Sequence, residues 1–234
     1  MTGMRLHVVV EGQTEETFVR RVLAPHLGTF SVWADARSVM TARKHGAIYK
    51  GGLPSYALAR KDILLWMKDD RNADAAFTTM FDLYGLPMDF PDYDKAKRQS
   101  DCRQRVATLE AAMKADIGPP RFTPYIQLHE FEALILADPQ KLDCQFIEYD
   151  EAIRNLVAMA GSFESPELID DGDETAPSKR IIREIAAYEG MKASAGPLIA
   201  ERIGMATLRA KCQHFAEWLS NLEAVGLAPG SRVL

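Results

Sequence analysis

The sequence is poor in cysteine, with Cys102, Cys144 and Cys212 far apart and without the paired spacing of a zinc site. Their odd number argues against a disulfide framework and fits a reducing compartment. No apolar run approaches the length that spans a bilayer, and the first residues lack the apolar core of a secretory signal. A soluble cytoplasmic protein without a membrane partner is expected. A basic excess is also missing: 28 Lys and Arg against 33 Asp and Glu leave a formal charge of -5, which argues against a constitutive polyanion coat. The zinc-protease reading of His129-Glu130 fails because Ala133 stands where the second histidine belongs. No glycine-rich lysine loop for a nucleotide is present, which ranks a phosphotransferase or small-molecule phosphatase below other readings. There is no internal repeat.

What is there is unevenly charged. Residues 36–61 carry Arg37, Arg43, Lys44, Lys50, Arg60 and Lys61 and no acid, whereas 164–174 hold six acids and no base. The 234 residues allow one large domain or a core with a helical extension.

The organising stretch is Leu6-His7-Val8-Val9-Val10-Glu11-Gly12-Gln13-Thr14-Glu15-Glu16. Its β-branched run predicts a buried strand, Gly12 a tight turn, and Phe18, Val22 and Leu23 the apolar face of a helix that Gly28 closes. Ligands of open α/β sheets gather beyond the carboxyl ends of the strands, where Glu11 falls. Two accounts of Glu15 stand: it converges with Glu11 on a hard cation such as magnesium, or Thr14 caps the helix and Glu15 and Glu16 favour its positive end.

A second strand is expected over 30–39, then a basic, glycine-bearing loop over 41–54. Arg43, Lys44 and Lys50 there either grip a phosphate backbone or form an ordinary solvated surface. A helix over 56–67 leads to the apolar run 75–82, which again ends in a carboxylate, Asp82. An irregular loop, a long amphipathic helix over 95–117 and a strand over 121–128 follow, the last ending in His129-Glu130-Phe131-Glu132 before a helical stretch over 133–137. Strands separated by helices imply parallel pairing, with their carboxyl ends on one edge. Glu11, Asp82 and Glu130 or Glu132 are thus candidates for one acidic cluster, which a cation explains better than folding stability does. His129 either orients a carboxylate or is a satisfied structural histidine.

Beyond Asp138-Pro139 helices are expected over 151–160, 179–188 and 208–222. The segment 1–140 reads as an α/β core and 141–234 as a mainly helical region packed on it. In Ala176-Pro177-Ser178-Lys179-Arg180, proline and serine start a helix. Lys179 and Arg180 run against its dipole, serving an anion or carboxylate, or being plain surface charge.

Val10-Glu11-Gly12-Gln13-Thr14-Glu15 resembles the first motif of Toprim domains, the catalytic module of type IA and II topoisomerases, bacterial primases and overcoming-lysogenization-defect (OLD) nucleases. More closely, four ordered stretches resemble the bacterial family called domain of unknown function 4276, across nearly the whole chain. They are 10–16, Phe81-Asp82-Leu83-Tyr84-Gly85-Leu86-Pro87, 124–132 and 176–180. The resemblance implies a Toprim-like α/β fold with a central parallel sheet flanked by helices and a helical C-terminal extension. It implies a Mg²⁺- or Mn²⁺-dependent nuclease acting on DNA or RNA, encoded beside an ABC-type ATPase, in antiphage defence; a homo-oligomer is left open. By that likeness Glu11 and Asp82 are catalytic and bind metal, and Glu15 is a further ligand; Lys179, in the first turn of its helix, is expected to neutralise transition-state charge. Arg43, Lys44, Lys50 and Arg180 are assigned to nucleic acid. One departure stands out: Tyr84 occupies the place of the second acid in the usual Asp-x-Asp, so Glu130 and Glu132 are the candidate replacements. If they do not serve, the fold is a non-catalytic subunit that binds nucleic acid or regulates the ATPase.

Overall fold

In the computed structural model, residues 3–39, 53–169, 172 and 175–226 are described. The expected basic loop, with Arg43, Lys44 and Lys50, lies largely outside them. The organising stretch forms β1 (Met4–Val10) and α1 (Gln13–Phe18), which runs on as a π-helical turn over Val19–Leu23 into α2 (Ala24–Gly28). The wide turn has a local cause. Pro25 cannot donate to the carbonyl four residues back and its ring would strike it, so the chain widens just before it and Ala24 N–H bonds Val19 five residues back.

Next come β2 (Val32–Ser38), α3 (Tyr56–Asp69) and β3 (Ala75–Asp82). The order in the sheet is β2-β1-β3 and then β4 (Phe122–Thr123), and every pairing is parallel, including that of β5 (Ile126–Gln127) with the end of β3. All carboxyl ends therefore share one edge, as expected.

Two of the helix and strand expectations are corrected by capping and proline chemistry. The single helix over 95–117 is two, α4 (Tyr93–Lys97) and α5 (Cys102–Ile117), because the Asp101 carboxylate accepts the Arg103 N–H and restarts the helix. The strand over 121–128 is broken at Pro124-Tyr125. There Thr79 Oγ1 both accepts the Tyr125 N–H at 2.9 Å and donates to its carbonyl at 3.0 Å, standing in for the ladder.

The remaining helices are α6 (Glu132–Ile135), α7 (Asp150–Ala160), α8 (Pro177–Glu184), α9 (Lys192–Ile203), α10 (Met205–Lys211) and α11 (Gln213–Val225). The expected helix over 179–188 ends at Glu184 and gives way to a 3-10 turn over Ala186–Gly190, and the one over 208–222 divides at Cys212. Buried Glu167 imposes that division: its carboxylate accepts the N–H groups of His214 and Phe215, capping α11 from a distant part of the chain.

Alternation along the strands builds two cores. Leu6, Val8, Val10 and Met80 pack with Phe18, Ile199, Phe215 and Trp218 on one face. Val9, Phe77 and Phe81 pack with Ile63, Val106 and Leu109 on the other. The helices after residue 141 share the first of these cores with the sheet, which is thus flanked by helices on both sides. No helix among the described residues is long and apolar enough to cross a membrane.

Candidate active site

Adjacent strand ends set the first two acids side by side. Glu11 follows β1, Asp82 closes β3, and the Asp82 N–H donates to Glu11 Oε2 at 3.2 Å. Gly12, not Thr14, caps α1, and Glu15 reaches back so that its Oε2 accepts the Gly12 N–H at 2.9 Å. That bond is half of a capping box. It also buries Glu15, 6% exposed, beside Glu11. Glu15 thus serves the helix start, with Gly12 rather than Thr14 as the cap, and stands beside Glu11 while doing so.

The third group of acids arrives through a strained turn. His129 has φ 63°, a left-handed conformation that costs a residue with a side chain about 1–3 kcal/mol, and it carries the chain from β5 into Glu130-Phe131-Glu132. Glu130 accepts the backbone N–H of Ser178 at the start of α8. Glu132 Oε1 accepts the Tyr188 hydroxyl at 3.2 Å and lies 3.7 Å from Lys192 Nζ on α9. Helix α9 comes this close because Gly196 has no side chain: a Cβ there would stand 3.2 Å from Phe131 and 3.3 Å from the Tyr188 oxygen.

Burial and neighbouring acids raise three of these carboxyls. Burial, then Glu11, pushes the Glu15 carboxyl up to about 7. Burial, then Glu130, does the same to Glu132, with Lys192 opposing. Asp82 is raised well above the usual carboxylate range, first by burial and then by Glu11, Glu15, Glu130 and Glu132 together. Its Oδ1 is enclosed and has no hydrogen-bond partner among the described residues. Carboxylates from three segments thus act on the Asp82 carboxyl at this edge of the sheet.

The expected cations are placed differently. Lys179 is exposed in the first turn of α8. Arg180 donates to the Thr175 carbonyl at 2.7 Å and lies over the Phe163 ring. The anion at the α8 start is Glu130 itself, held by the backbone. A cation paired with one of these acids is Lys192, which the sequence does not single out. Its helix hides in Lys192-Ala193-Ser194-Ala195-Gly196-Pro197, where small residues, glycine and proline blur the helical period.

An all-carboxylate donor set suits a hard divalent cation, and a buried carboxylate oxygen without a partner is the kind of atom such an ion satisfies. Among the described residues no three His, Cys, Asp or Glu side chains already close into a metal-holding group.

The fold and this edge define an α/β protein with an acidic basin beyond the carboxyl ends of a parallel sheet. The family described as "Domain of unknown function (DUF4276)" matches residues 10–223, and the chain belongs to it. Two solved structures of the C-terminal region of the Xanthomonas campestris pv. campestris OLD protein are similar to it. The one phased with platinum is 12% identical with a TM-score of 0.38, over 93% of this chain and 95% of that one. The one phased with iodine is 14% identical with a TM-score of 0.36, over 94% and 98%. No curated protein matches.

Proposed function

We propose that the protein is a Mg²⁺- or Mn²⁺-dependent phosphodiesterase that cuts DNA or RNA, working with an ABC-type ATPase in antiphage defence. What supports this reading is that Glu11, Glu15, Glu130 and Glu132 all act on the Asp82 carboxyl, whose enclosed Oδ1 lacks a partner among the described residues. The ATPase, the defence setting and the Toprim-type chemistry rest on the motif resemblance.

Glu11 and Asp82 would hold the ion, with Glu15, Glu130 and Glu132 within the same basin. When bound, it would lower the pKa of a water and offset charge on the phosphate. Lys192, beside Glu132, offers the phosphate a positive charge in a basin otherwise hostile to it. Glu132, its carboxyl raised by burial and Glu130 and oriented by the Tyr188 hydroxyl, would exchange a proton with the reacting oxygen. Arg43, Lys44, Lys50 and Arg180 are assigned to the backbone of the nucleic acid, with salt-dependent affinity.

The test is cleavage of labelled DNA and RNA in Mn²⁺ by the protein alone and with its ATPase neighbour. Cleavage lost in Glu11→Gln and Asp82→Asn supports the enzyme; cleavage that survives both refutes this site. A second reading, a non-catalytic binding or regulatory subunit, draws on the lack of a closed three-acid group among the described residues. Binding without cutting, in either metal and with the partner present, would favour it.

A further inference from the structure

Tyr84, which breaks the Asp-x-Asp pattern, has no part in the chemistry above, yet its setting is built. The Gly85 N–H closes a tight turn on the Asp82 carbonyl at 3.2 Å, and the Leu83 N–H extends the sheet's pairing to Gln127 at 3.1 Å. The Tyr84 N–H itself donates to the His129 carbonyl at 2.8 Å. Leu83 and Leu86 are sunk in the core at 7% and 6% exposure, while Tyr84 between them is 49% exposed. An aromatic side chain is therefore held partly open to solvent two residues from Asp82, on backbone that is hydrogen-bonded to the residue preceding Glu130.

We propose that Tyr84 is the platform on which an unstacked base of a single-stranded nucleic acid rests while its phosphate lies at Asp82. This rests on the phosphodiesterase reading of the acidic basin and names its substrate class. Among these carboxylates, a nucleotide's phosphate is held only where a cation offsets their charge, whereas its base, being uncharged, is not repelled. Stacking then provides affinity where charge cannot, and it tolerates any sequence because every base has a π-face. A base inside a duplex has both faces covered by its neighbours, so only a single strand, a flap or a frayed end can use the ring. The departure from two aspartates thus exchanges one acid for a substrate contact.

The experiment is binding of fluorescein-labelled single-stranded and duplex oligonucleotides of one sequence by anisotropy, in Ca²⁺, using the full chain. Tyr84→Ala is expected to weaken single-strand binding roughly 5- to 100-fold, with Tyr84→Phe within about twofold of wild type. Duplex binding should be unchanged in both, and circular dichroism should show Tyr84→Ala folded, since its side chain is partly exposed. Unchanged single-strand binding in Tyr84→Ala, an equal loss on duplex, or no single-strand binding by wild type would overturn the proposal. Cleavage assays in Mn²⁺ separate the two claims. If Asp82→Asn abolishes cutting while Tyr84→Ala binds single strands normally, the platform falls and the nuclease stands. If nothing cuts but Tyr84→Ala loses single-strand binding, the reverse holds.

Discussion

At the amino edge of the sheet, Asp70 is surrounded by donors. Arg5 meets it at 2.9 Å, His7 at 2.8 Å, and the Asn72 backbone and side chain at 3.2 and 2.9 Å. These bonds, that from His7 foremost, hold its carboxyl down to about 2. At the carboxyl edge, Asp82 sits among four other acids and is pushed the opposite way. Both residues follow from the same β-α architecture, and both are largely shielded from water. The difference is what surrounds them: one edge neutralises its charge from within the chain, and the other leaves it to be neutralised from outside. A fold that had only to be stable would treat both edges like the first.

The largest expected effect lies in activity. Asp82→Asn should lower metal-dependent cleavage by roughly 100-fold or more, beyond the loss usual for outer-shell partners of a metal, whereas Asp70→Asn should leave the cleavage rate of the folded protein near wild type. Equal losses would erase the distinction between the edges.

Stability should respond in opposite directions. Asp70→Asn removes the charge that Arg5 and His7 face and should cost about 2 kcal/mol in urea denaturation. Glu132→Gln keeps an acceptor for Tyr188 but removes a repelled charge, so metal-free protein at pH 8 should gain about 1–3 kcal/mol. Acid should sharpen the same contrast. The folded-state value of Asp70 is depressed, so its contribution is complete above the usual carboxylate range near 4 and fades as pH falls through about 2. Acid denaturation of Asp70→Asn should therefore lack that part of the wild-type loss.

A smaller effect is expected at the packing beneath the basin. Gly196→Ala would press on Phe131 and on the Tyr188 oxygen, costing about 1 kcal/mol by overpacking. It should also lower the rate modestly by disturbing the bond to Glu132. A variant with wild-type stability and rate would show that α9 yields freely there.

Much of the acidic edge was legible because its signals are local and repeated. Apolar runs ending at Glu11 and Asp82 give strands with their acids on one edge, once the intervening helices make the pairing parallel. The Glu130-Phe131-Glu132 step was legible as polar chemistry after a strand, though not the break that Pro124 makes and Thr79 repairs. What stayed hidden depends on distant partners. Nothing near Cys212 announces that Glu167 will cap α11 there. Nothing in the glycine- and proline-bearing start of α9 announces that Gly196 lets it pack on Tyr188, bringing Lys192 to Glu132. The positive charge at Lys179 was visible, as was its alternative of plain surface charge, but not that Glu130 takes the start of α8.

The most direct measurement is thermal unfolding of chelator-treated protein at pH 5 and pH 8, with and without Mn²⁺. Glu15 and Glu132 have folded-state values raised to about 7. The stability they contribute is thus complete below the unfolded value of about 4.5 and is lost as pH rises through 7. The metal-free protein should unfold at a lower temperature at pH 8 than at pH 5. Mn²⁺ should restore the difference, acting mostly at pH 8, and should do so far less in Asp82→Asn. An unfolding temperature that Mn²⁺ leaves unchanged at pH 8, or raises equally in Asp82→Asn, would contradict an edge built to be completed by a cation.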